Sequence, residues 1–221
     1  MSNNLNNQHK RTERRKLLSA EARCILSLCE GRPITGDDIA KDISGRPFFA
    51  DSDTDFNISH SGNLTAVSLA TGQNLRTGCD VELVRPRSRA KEIAKEFFTA
   101  SENDYIESGG QFDGARFYHI WTLKECFLKL RGLSVFDMAD APSFISKDGW
   151  FIFGAAVASI IKLNLYELSG NSGGRYILAT GIEGAEREPE LRWFSQDFLD
   201  CKSIAKIKAA PSPAETVSPK I

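Results

Sequence analysis

The chain has 221 residues, of which 41% are hydrophobic and 26% charged, and its formal net charge is −1 at pH 7. This composition is typical of a globular protein with one sizeable domain or two small packed halves. The near-neutral charge gives no electrostatic reason to expect a nucleic acid or a membrane surface as partner. The longest apolar run, residues 150–161, is too short to span a bilayer.

The cysteines indicate a reducing compartment. The chain has five cysteines, and they form neither a Cys-x-x-Cys pair nor a zinc-finger spacing. The N-terminal sequence MSNNLNNQHK lacks the apolar core of a secretory signal. These features predict a cytoplasmic protein.

The N-terminal segment divides into a polar part and an amphipathic part. Residues 1–13 are polar and Asn-rich, which predicts a disordered tail. Residues 14–30 predict a helix that ends near Gly31. Residues 37–42 predict a second short helix, and residues 45–47 predict a turn. One face of the first helix carries Leu17, Leu18, Ala22, Ile25, Leu26 and Cys29.

A first motif, FNISHSG, occupies residues 56–62 and predicts a short strand that runs into a tight turn. Its hydroxyls, its imidazole and the N–H groups of the turn suit phosphate oxygens. Residues 64–70 and 75–84 then have strand patterns on either side of a turn at residues 71–74, which predicts an antiparallel hairpin.

A second motif, GCDVE, occupies residues 78–82 on the second arm of that predicted hairpin. Alternation along a strand puts Asp80 and Glu82 on one face and Val81 on the other. Two neighbouring carboxylates repel each other unless a cation lies between them, and their oxygens suit a hard divalent ion. Glu125 could close such a site as a third ligand. An acidic edge strand that faces solvent explains the same pattern about as well.

A third motif, WTLKECFLK, lies within residues 117–133, which carry the strongest helical pattern of the chain. Apolar residues recur there at three- and four-residue intervals, which predicts a helix with one face in the core. Trp121, Glu125 and Lys129 follow each other at i, i+4 spacing, so their side chains line one side of that helix. For an isolated helix, an ordinary surface pair of Glu125 and Lys129 is the simpler interpretation. Gly132 predicts the end of the helix.

The remaining patterns predict supporting elements. Residues 89–98 predict a helix, and Thr99 and Glu102 have capping-box spacing for the next helix, which ends at residues 109–110. Strands are predicted at residues 150–153, 161–168, 175–182 and 191–194. The tail from residue 209 is rich in Pro, Ser and Ala and predicts disorder.

Together, FNISHSG, GCDVE and WTLKECFLK resemble the 4′-phosphopantetheinyl transferases, in particular the monomeric type that activates carrier proteins of peptide, polyketide and fatty-acid synthases. The resemblance implies an α+β fold of two pseudo-symmetric halves, each a small antiparallel sheet packed with helices, with the active site in the cleft between them. The halves would be residues 14–75 and 76–208, and residues 1–13 and 209–221 would be disordered tails.

The activity implied by the resemblance is transfer of 4′-phosphopantetheine from coenzyme A to a serine of an apo acyl or peptidyl carrier protein. The products would be the holo carrier protein and adenosine 3′,5′-bisphosphate. The resemblance implies Mg²⁺, with Mn²⁺ as a second possibility, on Asp80, Glu82 and Glu125. Coenzyme A would be the other substrate, and a monomer is the simplest expectation.

The resemblance also implies roles for single residues. Glu125, Lys129 and His60 would be catalytic, and coenzyme A would contact Arg23, Arg46, Ser59, His60 and Lys129. Arg85, Arg87 and Arg89 follow the acidic strand and could receive an acidic carrier protein.

Other classes of function explain less of the sequence. A catalytically inactive coenzyme A-binding module is the main alternative, but it would not need the intact Asp80, Glu82, Glu125 and Lys129 set. A different Mg²⁺-dependent phosphoester enzyme is the second. The chain contains neither the Gly-x4-Gly-Lys-Ser/Thr phosphate loop nor His-Glu-x-x-His.

Overall fold

The computed structural model describes residues 2–147, 150–153, 161–170, 173–185, 190–192 and 198–209. The helices are α1 (Ser2–Glu30), α2 (Ala90–Phe97), α3 (Ala100–Glu107) and α4 (Gly114–Arg131), with a 3₁₀ helix at Val135–Asp140. The strands are β1 (Ile39–Lys41), β2 (Pro47–Phe49), β3 (Thr54–Ser61), β4 (Leu64–Thr71), β5 (Arg76–Leu83), β6 (Ile145–Lys147), β7 (Trp150–Phe153), β8 (Ile161–Gly170), β9 (Arg175–Glu183) and β10 (Phe198–Ala209).

Helix α1 is longer than predicted. It begins at Ser2, so residues 2–13 are helical and not the disordered tail that their polarity predicts. The chain has no Gly or Pro before Gly31, so no residue in this segment interrupts a helix that extends from the amphipathic part. Leu26 of α1 is fully buried and packs with Phe49 and Phe56.

The second predicted helix is wrong. Residues 39–41 form β1, which pairs antiparallel with β2. The Asp42 carboxylate accepts hydrogen bonds from the backbone N–H groups of Ser44 and Arg46 and so closes the turn between the two strands. A six-residue segment is too short to gain much from helix formation, whereas this turn satisfies its polar groups locally.

The strand pairing around the carboxylates also differs from the prediction. Strand β4 pairs with β3, from Thr54↔Thr71 to Ser61↔Leu64, through a tight turn in which Gly62 adopts a φ of +56°. Strand β5 does not form the predicted hairpin with β4. It pairs antiparallel with β9 and begins the sheet order β5-β9-β8-β10-β7-β6.

The C-terminal strands form a six-stranded sheet in which β7 and β10 are parallel and the other pairs are antiparallel. The predicted strands at residues 150–153, 161–168 and 175–182 are confirmed as β7, β8 and β9, whereas β10 was not predicted. Leu191 and Arg192 are not in a strand, and residues 193–194 and 210–221 lie outside the described residues. The α+β class is confirmed. The domain boundaries stay a prediction.

Helix α4 lies against the sheet because glycine occupies the contact on β5. A Cβ atom on Gly78 would lie 2.7 Å from the Cys126 carbonyl oxygen and 2.8 Å from the Leu130 backbone nitrogen. Glycine therefore lets the backbones of β5 and α4 approach closely. As predicted, Gly132 ends the helix in the left-handed conformation. Within the described part of the chain, no helix is both long enough and apolar enough to cross a membrane.

Candidate active site

Asp80 and Glu82, two of the predicted metal ligands, face α4. Asp80 is 4% exposed, and its Oδ1 atom lies 2.6 Å from the Lys129 ammonium. The Ser59 hydroxyl donates to the same oxygen at 2.8 Å, and Lys129 donates to the Ser59 oxygen at 2.9 Å. The structure thus brings β3, β5 and α4 together around one ion pair. The pair lies at the junction between the β3–β4 sheet and the six-stranded sheet.

Glu82 lies two residues further along β5 and is half-buried. Its Oε2 atom accepts a hydrogen bond from the Ser61 hydroxyl at 3.0 Å, and its Oε1 atom accepts one from the Trp121 indole N–H at 3.1 Å. The sequence predicts Trp121 on the same side of the helix as Glu125 and Lys129. Its hydrogen bond to Glu82 depends on the distance between β5 and α4, which the sequence does not show.

Glu125 shares this environment one helical turn from both Trp121 and Lys129. Burial raises the pKa of Glu125 to about 7, and the negative charges of Asp80 and Glu82 add to the shift. Burial likewise raises the pKa of Asp80, against the opposing charge of Lys129, and the pKa of Glu82. Three carboxylates that resist ionisation in one place form an environment in which a cation is stabilised.

A hard cation fits the chemistry of these groups. The Oδ2 atom of Asp80 is buried and has no hydrogen-bond partner among the described residues, and a buried acceptor usually has one. Carboxylate oxygens are the ligands that Mg²⁺ prefers. In the described part of the chain, no three His, Cys, Asp or Glu side chains are already arranged to share one ion. Asp80, Glu82 and Glu125 therefore stay predicted ligands.

His60 lies on the opposite face of β3 from Ser59, as strand alternation requires, and is exposed. Burial of part of its ring lowers the pKa of His60, and the positive charges of Lys129 and Arg14 lower it further. Arg14 of α1 donates to the carbonyl oxygen of Gly62 at 2.5 Å. The contact of Arg14 with the turn after β3 was not predicted from the sequence.

The two predicted arginine contacts with coenzyme A differ in the structure. The Arg23 guanidinium donates to the Ser19 hydroxyl on α1 at 2.7 Å, and its role toward coenzyme A stays a prediction.

Arg46, in contrast, is buried. It pairs with Asp55 at 2.7 Å, donates to the Thr77 carbonyl oxygen at 2.8 Å, and donates to the carbonyl oxygen of Lys129. The guanidinium therefore links β3, β5 and α4. These bonds within the protein engage both terminal nitrogens of the guanidinium, and the role of Arg46 toward coenzyme A stays a prediction.

This arrangement lies in a region that known proteins share. The sequence model of the 4′-phosphopantetheinyl transferase superfamily matches residues 76–180, which contain β5, α4 and the first six residues of β9. The predicted resemblance to this superfamily is therefore confirmed over that part of the chain.

Individual proteins of known sequence that resemble this chain carry the same family name. The chain is 35% identical to the 4′-phosphopantetheinyl transferase AcpT of Salmonella typhi over 101 residues, which are 45% of this chain and 52% of AcpT. It is 32% identical to the 4′-phosphopantetheinyl transferase psf-1 of Bacillus pumilus over 96 residues, 42% of this chain and 39% of that protein. It is 35% identical to the 4′-phosphopantetheinyl transferase HetI of a Nostoc species over 103 residues, 46% of this chain and 38% of HetI. The chain thus spans about half the length, or less, of the curated relatives it matches.

Proposed function

We propose that this protein transfers 4′-phosphopantetheine from coenzyme A to a serine of an apo acyl or peptidyl carrier protein, as a holo-[acyl-carrier-protein] synthase does. The observation that carries the proposal is the buried Asp80–Lys129 pair with Glu82 and Glu125 beside it. A lysine can stabilise the charge of a pyrophosphate, and three carboxylates can hold a metal ion beside it. The Oδ2 atom of Asp80, which has no hydrogen-bond partner among the described residues, is available to such an ion.

In the proposed reaction, the serine oxygen of the carrier protein forms a bond to the phosphorus next to pantetheine. The bond from that phosphorus to the bridging oxygen breaks, and adenosine 3′,5′-bisphosphate leaves. Lys129 stabilises the negative charge that develops on the pyrophosphate oxygens. Arg14 and His60, at the other side of the junction, bind further phosphate oxygens.

Glu125 takes the proton of the serine hydroxyl. Its half-buried carboxylate lies one helical turn from Lys129 and so beside the pyrophosphate that Lys129 would bind, which suits the position of a general base. Mg²⁺, or Mn²⁺ in its place, would be held by Asp80, Glu82 and Glu125, and it would neutralise charge on the pyrophosphate.

The carrier protein would dock beside the end of β5. Arg85, Arg87 and Arg89 are exposed there, and the Arg87 guanidinium lies 4.6 Å from the centre of the Trp121 ring. Arg85 and Arg87 also line a cavity of about 480 Å³ together with Tyr118. A basic rim next to the carboxylates suits an acidic partner. A monomeric state and a cytoplasmic location complete the proposal.

The intact mass of apo carrier proteins tests the proposal. A panel of acyl and peptidyl carriers is incubated with the protein, coenzyme A and Mg²⁺, and in parallel with Glu125→Gln. A gain of one phosphopantetheine on at least one carrier, abolished by chelator and strongly slowed by the variant, supports the transfer. Coenzyme A binding without any mass gain would favour the inactive binding module.

A further inference from the structure

Strand β3 holds β5 through its side chains and not through its backbone. The backbone of β3 pairs with β4, while alternate side chains of β3 accept hydrogen bonds from alternate backbone N–H groups of β5. These bonds run from Thr77 to Asp55 at 2.7 Å, from Cys79 to Asn57 at 3.2 Å, from Val81 to Ser59 at 3.2 Å and from Leu83 to Ser61 at 3.0 Å.

This side-chain ladder completes an edge strand. Strand β5 is the end of its sheet, with β9 on one side, so the N–H groups on its other side need acceptors. The side chains of Asp55, Asn57, Ser59 and Ser61 supply them. The side chains at the odd-numbered positions of FNISHSG thus accept hydrogen bonds from β5, and the role of Ser59 toward coenzyme A stays a prediction.

Within the ladder, Ser61 has a second contact. A hydroxyl group has one hydrogen, and the Ser61 oxygen already accepts the N–H of Leu83. The hydrogen is therefore free to point at Glu82, and the Ser61 oxygen lies 3.0 Å from Glu82 Oε2. Since Trp121 donates to the other oxygen, each Glu82 oxygen has one donor, and the two donors come from different elements.

We propose that Ser61 is a positioning residue that fixes the Glu82 carboxylate in the orientation in which it binds a divalent cation. It acts through Glu82 and touches no substrate. This inference rests on the proposed function only for its biological meaning, because the orientation of Glu82 can be measured through cation binding alone.

The test measures Mn²⁺ affinity of the full-length protein by electron paramagnetic resonance, without coenzyme A or carrier. Ser61→Ala removes the donor to Glu82 and is expected to weaken Mn²⁺ binding about tenfold. Ser61→Thr keeps the hydroxyl and is expected to recover most of the affinity.

Asn57→Ala is the matched control. It removes one bond of the same ladder, but Asn57 is bonded neither to Asp80 nor to Glu82. It is expected to lower the melting temperature about as much as Ser61→Ala while changing Mn²⁺ affinity less than about threefold. Equal losses of affinity in both alanine variants would overturn the inference, as would a Ser61→Ala protein that binds like the parent or a parent that binds no Mn²⁺.

Transfer assays separate this inference from the proposed function. A parent that modifies no carrier, together with the expected order of Mn²⁺ affinities, would refute the transfer but support the role of Ser61. An active parent with unchanged Mn²⁺ affinity in Ser61→Ala would refute the role of Ser61 alone.

Discussion

Two lysines on α4 form buried ion pairs of opposite character. Lys124 pairs with Glu102 at 3.3 Å, and their side chains are 1% and 0% exposed. Lys124 also donates to the carbonyl oxygens of Ala141 and Pro142, and Glu102 accepts the backbone N–H groups of Thr99 and Phe144. Both charges are satisfied by the surrounding backbone.

The Lys129–Asp80 pair is shorter and less enclosed. Its distance is 2.6 Å, and the Lys129 side chain is 27% exposed. Burial lowers the pKa of Lys124, whereas for Lys129 burial is outweighed by Asp80 and its neighbours and the pKa rises. Three features distinguish the Lys129–Asp80 pair as the candidate site. Its surroundings carry an excess of carboxylates, the Oδ2 atom of Asp80 has no hydrogen-bond partner among the described residues, and Lys129 is accessible to solvent. A lysine in a buried pair is thus not by itself a functional residue.

The largest expected effect concerns Lys124. Lys124→Met leaves the Glu102 charge buried without its partner, so the free energy of unfolding should fall by about 3–5 kcal/mol. Urea denaturation measures this loss. Lys129→Met is the control and should lose less, because the Lys129 side chain is 27% exposed and water can reach the Asp80 carboxylate that it leaves unpaired. Equal losses would remove the distinction between the two pairs.

Lys129 should instead control the reaction rate. Lys129→Ala is expected to lower kcat by about 10²–10³-fold, because in the proposed reaction it removes the charge that stabilises the pyrophosphate oxygens. Arg131→Ala serves as control, since Arg131 lies on the same turn of α4 and forms an exposed pair with Glu183. Rates of carrier modification, measured below the melting temperature of each variant, should be near the parent value for Arg131→Ala. A slow Arg131→Ala protein would count against a specific role for Lys129.

The approach of α4 to β5 should matter for both stability and rate. Gly78→Ala places a Cβ 2.7 Å from the Cys126 carbonyl oxygen and should cost about 1–3 kcal/mol of stability, with a loss of activity as Lys129 moves from Asp80. Gly36→Ala meets no atom within 4 Å and is the neutral control. Thermal melts and transfer rates compare the two. A stable, fully active Gly78→Ala protein would show that the close contact is not required.

His119, another titratable residue on α4, should make the stability of the protein depend on pH. Burial lowers the pKa of His119 to about 4, while its Nδ1 atom lies 2.8 Å from the Tyr105 hydroxyl. The unfolded chain therefore binds this proton first as the pH falls, so the stabilisation is complete above about 6.5 and is lost toward pH 4. The loss at pH 5 should be about 2 kcal/mol. His119→Gln should lack this part of the pH dependence in urea denaturation, and identical pH profiles would contradict the assignment.

The smallest expected effect lies at the docking surface. Reversing the charges of Arg85, Arg87 and Arg89 to Glu should raise KM for the carrier protein about tenfold, mainly through a slower association, and should leave coenzyme A affinity unchanged. The loss should shrink at high salt. Reversing Arg15, Lys16 and Lys41 changes the net charge equally and is the control. Loss of coenzyme A binding in the first variant, or equal effects of both, would place docking elsewhere.

The sequence predicted which side chains share a face of α4 and of β5 better than it predicted how the strands pair. Helical spacing of Trp121, Glu125 and Lys129 and strand alternation of Asp80 and Glu82 are local properties, and both persist in the structure. The pairing of β5 with β9 joins residues about a hundred positions apart, and no local pattern specifies it. The predicted pairing of β5 with the nearer strand β4 is therefore wrong.

Polar residues that hold the fold together are also hard to tell from ligand-binding residues in a sequence. Arg46, Asn57 and Ser61 have the chemistry of ligand-binding residues, and a sequence does not show that a sheet edge already uses them. The alternation of Asp55, Asn57, Ser59 and Ser61 was the available signal, because side-chain acceptors at every second position match the backbone period of an edge strand.

Crystals grown with coenzyme A and Mn²⁺ would test the central claim, that the Asp80–Lys129 pair is the reaction site, most directly. We predict one anomalous Mn²⁺ peak bound by Asp80, Glu82 and Glu125 and by pyrophosphate oxygens, with Lys129 donating to the same pyrophosphate. Coenzyme A bound elsewhere, with the Asp80–Lys129 pair unchanged and free of metal, would contradict the claim.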